Sequence, residues 1–235
     1  MSDRSYFVRN FLLQGAAADV GRPGLRGYAE HMRDATTSNG PCASPAADGC
    51  CQSPSARFPA LAELIGYLES IRARADMAIL SKLLGQIRVS RADIEPICTF
   101  GVRGYRRNTI ARSDWFELLA LCWRSGHCTP IHDHVGSSCA FRVVEGTGTE
   151  IRFLPTPSGL ICPAETIPMA PGYICAAKDE DIHQVANMQA AGQDLITLHI
   201  YSPPISKMRT YQFATSDGAE TGAVYAGQSV VECAI

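Results

Sequence analysis

From residue 116 to residue 201 the chain is divided into short apolar or alternating runs, at 116–123, 138–144, 150–154, 166–169, 173–177, 183–188 and 195–201. Clusters of Gly, Pro and Asp separate them. Regular short strands punctuated by turn signals predict a β-sandwich or barrel. Upstream the period changes. Leu61, Leu64, Ile65, Leu68 and Ile71 fall on one stripe at helical spacing, which predicts a helix over 59–73. Residues 77–87 continue as a second helix, and Ser90 is placed to cap a short third one that ends before Pro96. The expected fold is therefore mainly β, with N-terminal helices capping a β-barrel.

Composition excludes several classes. The chain has 235 residues, 46% hydrophobic and 19% charged, enough to bury a single core. A net charge of −2 gives no basic footprint for nucleic acid or an anionic membrane. No apolar run reaches the roughly 18 residues needed to span a bilayer. The N-terminus lacks the continuous apolar segment of a secretion signal, so a cytoplasmic protein is expected. With Asp3 the only early acid, an organelle-targeting segment is the alternative. Residues 34–56 are turn-rich and read as a loop or linker, after a mixed stretch with one short helix at 26–33. This divides the chain into an extension over 1–56 and a folded domain over 57–235. The ten cysteines are too irregularly spaced for a disulfide framework. Cys122 and Cys175 sit in apolar runs, where a free thiol packs as a small hydrophobe. Cys42, Cys50 and Cys51 lie in the turn-rich stretch and show no zinc spacing.

The chemistry centres on His132-Asp133-His134. Residues i and i+2 of a strand point to one face, so His-x-His aims two imidazoles at one point, with Cα atoms about 7 Å apart. Neutral imidazole is the commonest side-chain ligand for a transition metal. Taken alone, the pair also fits two surface or core histidines. A third histidine, His183, precedes Asn187 by four positions. The two segments resemble the paired motifs of the cupin superfamily. Gly126, His132-x-His134 and Gly146 keep the spacing of its first motif, and His183 to Asn187 closes its second. Two departures stand out: Cys139 replaces the usual metal-binding Glu, and Lys178-Asp179-Glu180 replaces Pro-x-Gly.

The first departure narrows the family. Cys139, the segment Thr197-Leu198-His199-Ile200-Tyr201-Ser202-Pro203-Pro204 and the upstream Tyr105-Arg106-Arg107-Asn108 resemble cysteine dioxygenase, over roughly residues 95–212. The resemblance implies a jelly-roll-like cupin barrel. Fe(II) would be held by His132, His134 and His183, with Cys139 and Tyr201 side by side and able to form a thioether cross-link. It gives His199 and Tyr201 catalytic or supporting roles, and it makes Ser202-Pro203 a cis peptide. Arg107 would clamp the substrate carboxylate, with Tyr105 and Tyr201 in the pocket. The implied reaction is L-cysteine plus O2 to cysteine sulfinic acid, a step of cysteine catabolism, carried out by a monomer over residues 57–235.

Strand parity agrees in part, since Thr197, His199 and Tyr201 share one face and Leu198 and Ile200 the other. It leaves Arg107 open, because the adjacent Arg106 would take its place after a one-residue slip. Three neutral imidazoles also suit zinc, so the choice of iron rests on the resemblance. Two further readings stand beside the first. One is a dioxygenase of another small thiol, such as mercaptopropionate, cysteamine or a pathway-specific thiol. The other is a metal-binding cupin without oxidative chemistry.

Overall fold

The computed structural model describes residues 52–134, 136–178, 182–213 and 224–232. All of them lie in a compact unit spanning Asn39–Ile235. The expected helix at 26–33, Cys42, Cys50, Cys51, Asp179 and Glu180 fall outside the described residues.

Four helices lead the described chain. The first, α1 (Pro54–Arg57), begins inside the stretch read as linker; Ser53 accepts from Ala56 N at its start. A 3-10 turn (Pro59–Leu61) runs into α2 (Ala62–Ser70), which buries Leu64, Ile65 and Leu68. Asp76 caps α3 (Met77–Gln86) by accepting from Ala78 N and Ile79 N. At α4 (Arg91–Ile94), Ser90 N donates to the Asp93 carboxylate at 2.8 Å, half of a capping box. The helix stops before Pro96, as the sequence predicts, and a 3-10 turn (Glu95–Ile97) follows.

Eleven strands follow among the described residues, in two sheets. One sheet has the order β1 (Arg106–Arg112), β2 (Glu117–Trp123), β9 (Leu195–Ser202), β4 (Ser138–Glu145), β7 (Ile174–Lys178). The other runs β10 (Lys207–Phe213), β11 (Val224–Glu232), β6 (Ile161–Met169), β5 (Gly148–Pro155), β8 (His183–Ala186), β3 (Ile131–His132), and closes where β3 pairs back onto β10. Antiparallel pairing throughout and a closed sheet give the mainly β cupin-type barrel with N-terminal helices.

Alternation splits the first sheet into two chemistries. Leu118, Ala120, Cys122, Ile196, Leu198, Ile200 and Ala140 pack outward against Leu61, Leu64, Ile65, Leu68, Leu80 and Leu84 of the helices and their lead-in turn, and these form the main apolar core. The inner face carries Trp123, Thr197, His199, Tyr201, Cys139 and Phe141, which face the second sheet. Gly146 makes the turn after β4 possible. Its φ is +76°, and a Cβ there would run into the Asp194 carbonyl.

Three strands escape the sequence reading. In β1, arginines mask the alternation, and the register shifts at a bulge between Thr109 and Ala111. β10 and β11 lie beyond the last run that was read as strand. The strand expected at 166–169 begins earlier, at Ile161, in a largely exposed segment carrying Pro163 and Pro168. Ser202-Pro203 is cis. Cys122 and Cys175 are buried, as expected. Among the described residues no helix is long and apolar enough to cross a membrane.

Candidate metal centre

The strand carrying His-x-His is shorter than its motif suggests. β3 ends at His132, which pairs directly with His183 on β8, and His134 lies just past the ladder. Asp133 keeps the two histidines on one side. Its backbone N donates to Arg209 O at 3.2 Å, and its buried carboxylate accepts from Tyr211 OH at 2.8 Å, with Arg209 Nε 3.0 Å away. The three rings therefore converge, with centroid separations of 4.9, 4.8 and 4.9 Å. One nitrogen of each lies within 4.8 Å of the others, and all three residues are buried.

Neighbouring acceptors select the nitrogens. His132 Nδ1 donates to Pro130 O at 2.9 Å, and His183 Nδ1 donates to Glu150 Oε1 at 2.8 Å. Nε2 is then the lone-pair atom on both rings, and His183 Nε2 is buried with no hydrogen-bond partner. An orphaned buried nitrogen of this kind calls for a ligand. A triangle of side 4.8 Å has its centre about 2.8 Å from each corner. Closing onto an ordinary metal–nitrogen bond of about 2.0–2.1 Å asks less than about 1 Å of each ring. Burial holds His132 neutral, with its pKa down to about 3, and drives His134 well below its ordinary value; the neighbouring histidines add to both shifts. Neutral rings are what a cation needs, so the donor set fits one metal ion.

Glu150 is a supporting residue that sequence reading missed. It is fully buried and held by Arg152 (Nε 3.1 Å, Nη2 3.0 Å) as well as by His183. Burial pushes its carboxyl up. The hydrogen bond from His183, with the Arg152 guanidinium beside it, outweighs this and leaves it below the usual carboxylate range. Such a partner fixes both tautomer and ring orientation of a metal ligand. The available signal was an acid two positions before Arg152 on a strand, with both on the face of His183.

The opposite wall supplies the remaining candidates. Cys139 and Tyr201 are direct cross-strand partners on β4 and β9, 3% and 4% exposed. Tyr201 approaches His134 with ring centroids 5.8 Å apart. Arg107 pairs with Leu121 on β2, and Leu121 with Thr197 on β9, which puts Arg107 on the inner face and Arg106 on the outer one. The Arg107 guanidinium carbon stands 5.4 Å from the centre of the Tyr201 ring. Tyr105 stacks on Trp123 at 4.2 Å.

A hydrogen-bonded chain backs Tyr201. Trp123 Nε1 donates to Thr197 Oγ1 at 3.0 Å, Thr197 Oγ1 lies 3.0 Å from His199 Nε2, and His199 Nδ1 lies 3.2 Å from Tyr201 OH. Burial drives His199 well below its ordinary pKa and Tyr201 well above its own, so the imidazole is neutral and the phenol protonated. A neutral imidazole has one donor and one acceptor nitrogen. The chain thus has two arrangements, with Trp123 donating in both: Thr197 donates to His199 and His199 to Tyr201, or Tyr201 donates to His199 and His199 to Thr197. The first leaves the Tyr201 hydroxyl hydrogen directed away from His199. Phe141 stacks on His199 at 4.9 Å and fixes its plane.

A cupin-type barrel with three converging buried imidazoles defines the class: a cupin whose inner wall can hold one metal ion. Comparison with known proteins narrows it. The profile of the family described as cysteine dioxygenase type I matches residues 51–214, and the chain belongs to that family. Cysteine dioxygenase type 1 of Danio rerio is 28% identical over 116 residues, covering 47% of this chain and 57% of that protein. The Bos taurus protein of the same name is 26% identical over 163 residues, covering 66% and 80%. The match to the Danio rerio protein thus spans little more than half of its length. Among solved structures, a cupin superfamily protein from Desulfitobacterium hafniense superposes with a TM-score of 0.36 at 13% identity, over 45% of this chain and 83% of that one. Family membership supports a dioxygenase-like enzyme.

Proposed function

We propose that this chain is a thiol dioxygenase that uses Fe(II), held by His132, His134 and His183, to convert L-cysteine and O2 into cysteine sulfinic acid. Both oxygen atoms go to sulfur, so the reaction needs no other reductant. The unit that does this spans 57–235, with 1–56 as an extension. The observation that carries the reading is the meeting of two walls: three converging buried imidazoles on one, and Cys139, Tyr201 and Arg107 on the other.

Bound Fe(II) supplies a Lewis acid that holds the substrate thiol as thiolate, and a redox centre for O2. The protein's own residues do the rest. Arg107 binds the substrate carboxylate, for which a guanidinium has the matching fork. Tyr201, protonated and fixed by His199, donates its hydroxyl hydrogen to the substrate carboxylate or to an oxygen beside it. Tyr105, against Trp123, closes the pocket on the Arg107 side. Cys139 and Tyr201 form a thioether in a side reaction that joins sulfur to a ring carbon and removes two hydrogen atoms, with O2 as acceptor. Cys139→Ser is expected to abolish the resulting doublet on a denaturing gel while leaving residual activity; a persistent doublet contradicts the cross-link.

The test is O2 uptake by Fe(II)-loaded protein with L-cysteine, with the product identified by mass. A gain of two oxygen atoms on the substrate is expected. Faster uptake with mercaptopropionate or cysteamine reassigns the thiol. Bound iron with no uptake on any thiol points to the non-oxidative cupin.

A further inference from the structure

One buried acid on the inner wall, Glu117, has no part in that reading. Glu117 opens β2 and is 7% exposed. Its Oε2 accepts from Arg107 Nη2 at 2.9 Å, and its Oε1 lies 3.6 Å from Arg112 Nη1. Arg107 and Arg112 are five residues apart, which on a regular strand sends them to opposite faces. The bulge in β1 makes Ile110 an extra residue, so that Arg107 opposes Leu121 and Arg112 opposes Glu117. Both guanidiniums then reach the inner face, one toward each oxygen of the same carboxylate.

Glu117 is also the direct partner of Tyr201 on β9, and Arg107 stands over the Tyr201 ring. At the other end, Arg112 lines a surface cavity of about 560 Å³ with Ser113, Asp114, Pro203, Pro204 and Ser206. Two cations and one anion give the cluster a net charge of +1 between that cavity and Tyr201. A carboxylate buried beside a carboxylate-binding site would repel the substrate unless the arginines offset it. Its effect on Arg107 therefore has to be positional, since its charge alone works against anion binding.

We propose that Glu117 is a positioning residue for substrate specificity: it fixes Arg107 over the Tyr201 ring, where the guanidinium meets the single carboxylate of the thiol. The inference rests on Arg107 being the carboxylate clamp. A cross-strand ion pair that only ties β1 to β2 would change stability and leave the ranking of substrates alone. Positioning changes the ranking.

The experiment compares L-cysteine with cysteamine, which lacks the carboxylate. Binding is measured by anaerobic calorimetry on the Fe(II)-loaded protein, and kcat and KM by O2 uptake, in wild type, Glu117→Ala, Glu117→Asp and Glu117→Gln. Glu117→Ala is expected to raise Kd and KM for L-cysteine about tenfold or more, with kcat changed less than about threefold and the cysteamine constants unchanged. Glu117→Gln keeps an acceptor oxygen for Arg107 and is expected to restore L-cysteine binding to within about threefold of wild type. Should Glu117→Ala fail to fold, Glu117→Asp draws the carboxylate back and is expected to give an intermediate rise confined to L-cysteine. Equal losses for both thiols, or unchanged L-cysteine constants in the Ala or Asp variant, overturn the proposal. So does a wild type that binds cysteamine as well as L-cysteine. Wild-type protein that binds L-cysteine yet takes up no O2 defeats the oxidative reading, and calorimetry still decides the role of Glu117.

Discussion

The two faces of the five-stranded sheet are built from the same strands and obey different rules. On the outer face, Leu118, Ala120, Ile196, Leu198 and Ile200 meet the helices through apolar contact alone, with no direction required of any of them. On the inner face, beside the apolar Leu119 and Leu121, a line of side chains is directional: Trp123 to Thr197, Thr197 to His199, His199 to Tyr201, Arg107 to Glu117. The outer face is held by volume and area removed from water, and tolerates exchange that preserves shape. The inner face is held by satisfied polar groups, where one lost partner strands the next. Strand alternation separates the two, so the site can be demanding without asking the core to be.

That separation can be broken by experiment. The largest effect is expected from His183→Ala, which removes one of the three proposed ligands and should abolish metal retention and turnover; normal iron content, measured by metal analysis, would show that the third ligand is misassigned. Leu198→Ala, on the outer face, should cost about 2–5 kcal/mol in chemical denaturation while metal binding stays intact. If it also weakened metal binding strongly, the two faces would not be independent. Glu150→Gln keeps the shape but loses the charged acceptor for His183, and should lower metal affinity about 10–100-fold; unchanged affinity would remove Glu150 from the site.

A graded effect is expected in pH. His132, His134 and His199 are held neutral in the fold, with pKa values below the ordinary 6.5, His132 at about 3. Below pH 6.5 the unfolded chain therefore binds more protons than the folded one, and stability is lost as pH falls from there toward 3. The Tm of metal-free protein should begin to drop near pH 6.5, before the carboxylates titrate. A Tm that holds flat down to pH 5 would mean the histidines are not buried neutral.

The amino-acid pattern exposed the three histidines and the parity of Thr197, His199 and Tyr201, because strand alternation is a strict period. It could not choose between Arg106 and Arg107, which are equal in composition and differ only in register; pairing of Arg107 with Leu121 puts it on the inner face. Glu117 and Glu150 went unread because each sits inside an otherwise apolar or alternating strand, where a lone acid looks like an interruption. Their meaning comes from the strand opposite. The β1 strand was hidden for the same reason, its arginines reading as a solvated run when two of the three, Arg107 and Arg112, turn inward around a bulge.

Every residue in the three-histidine group and its support, His132, His134, His183 and Glu150, comes from the closed sheet and the residue just past β3, whereas Cys139, Tyr201, Arg107 and Glu117 all come from the other sheet. The two sets share no strand. On the proposed function such a molecule is modular in the evolutionary sense: its substrate preference can drift by changes in one wall while the opposite wall keeps its grip on the metal unchanged.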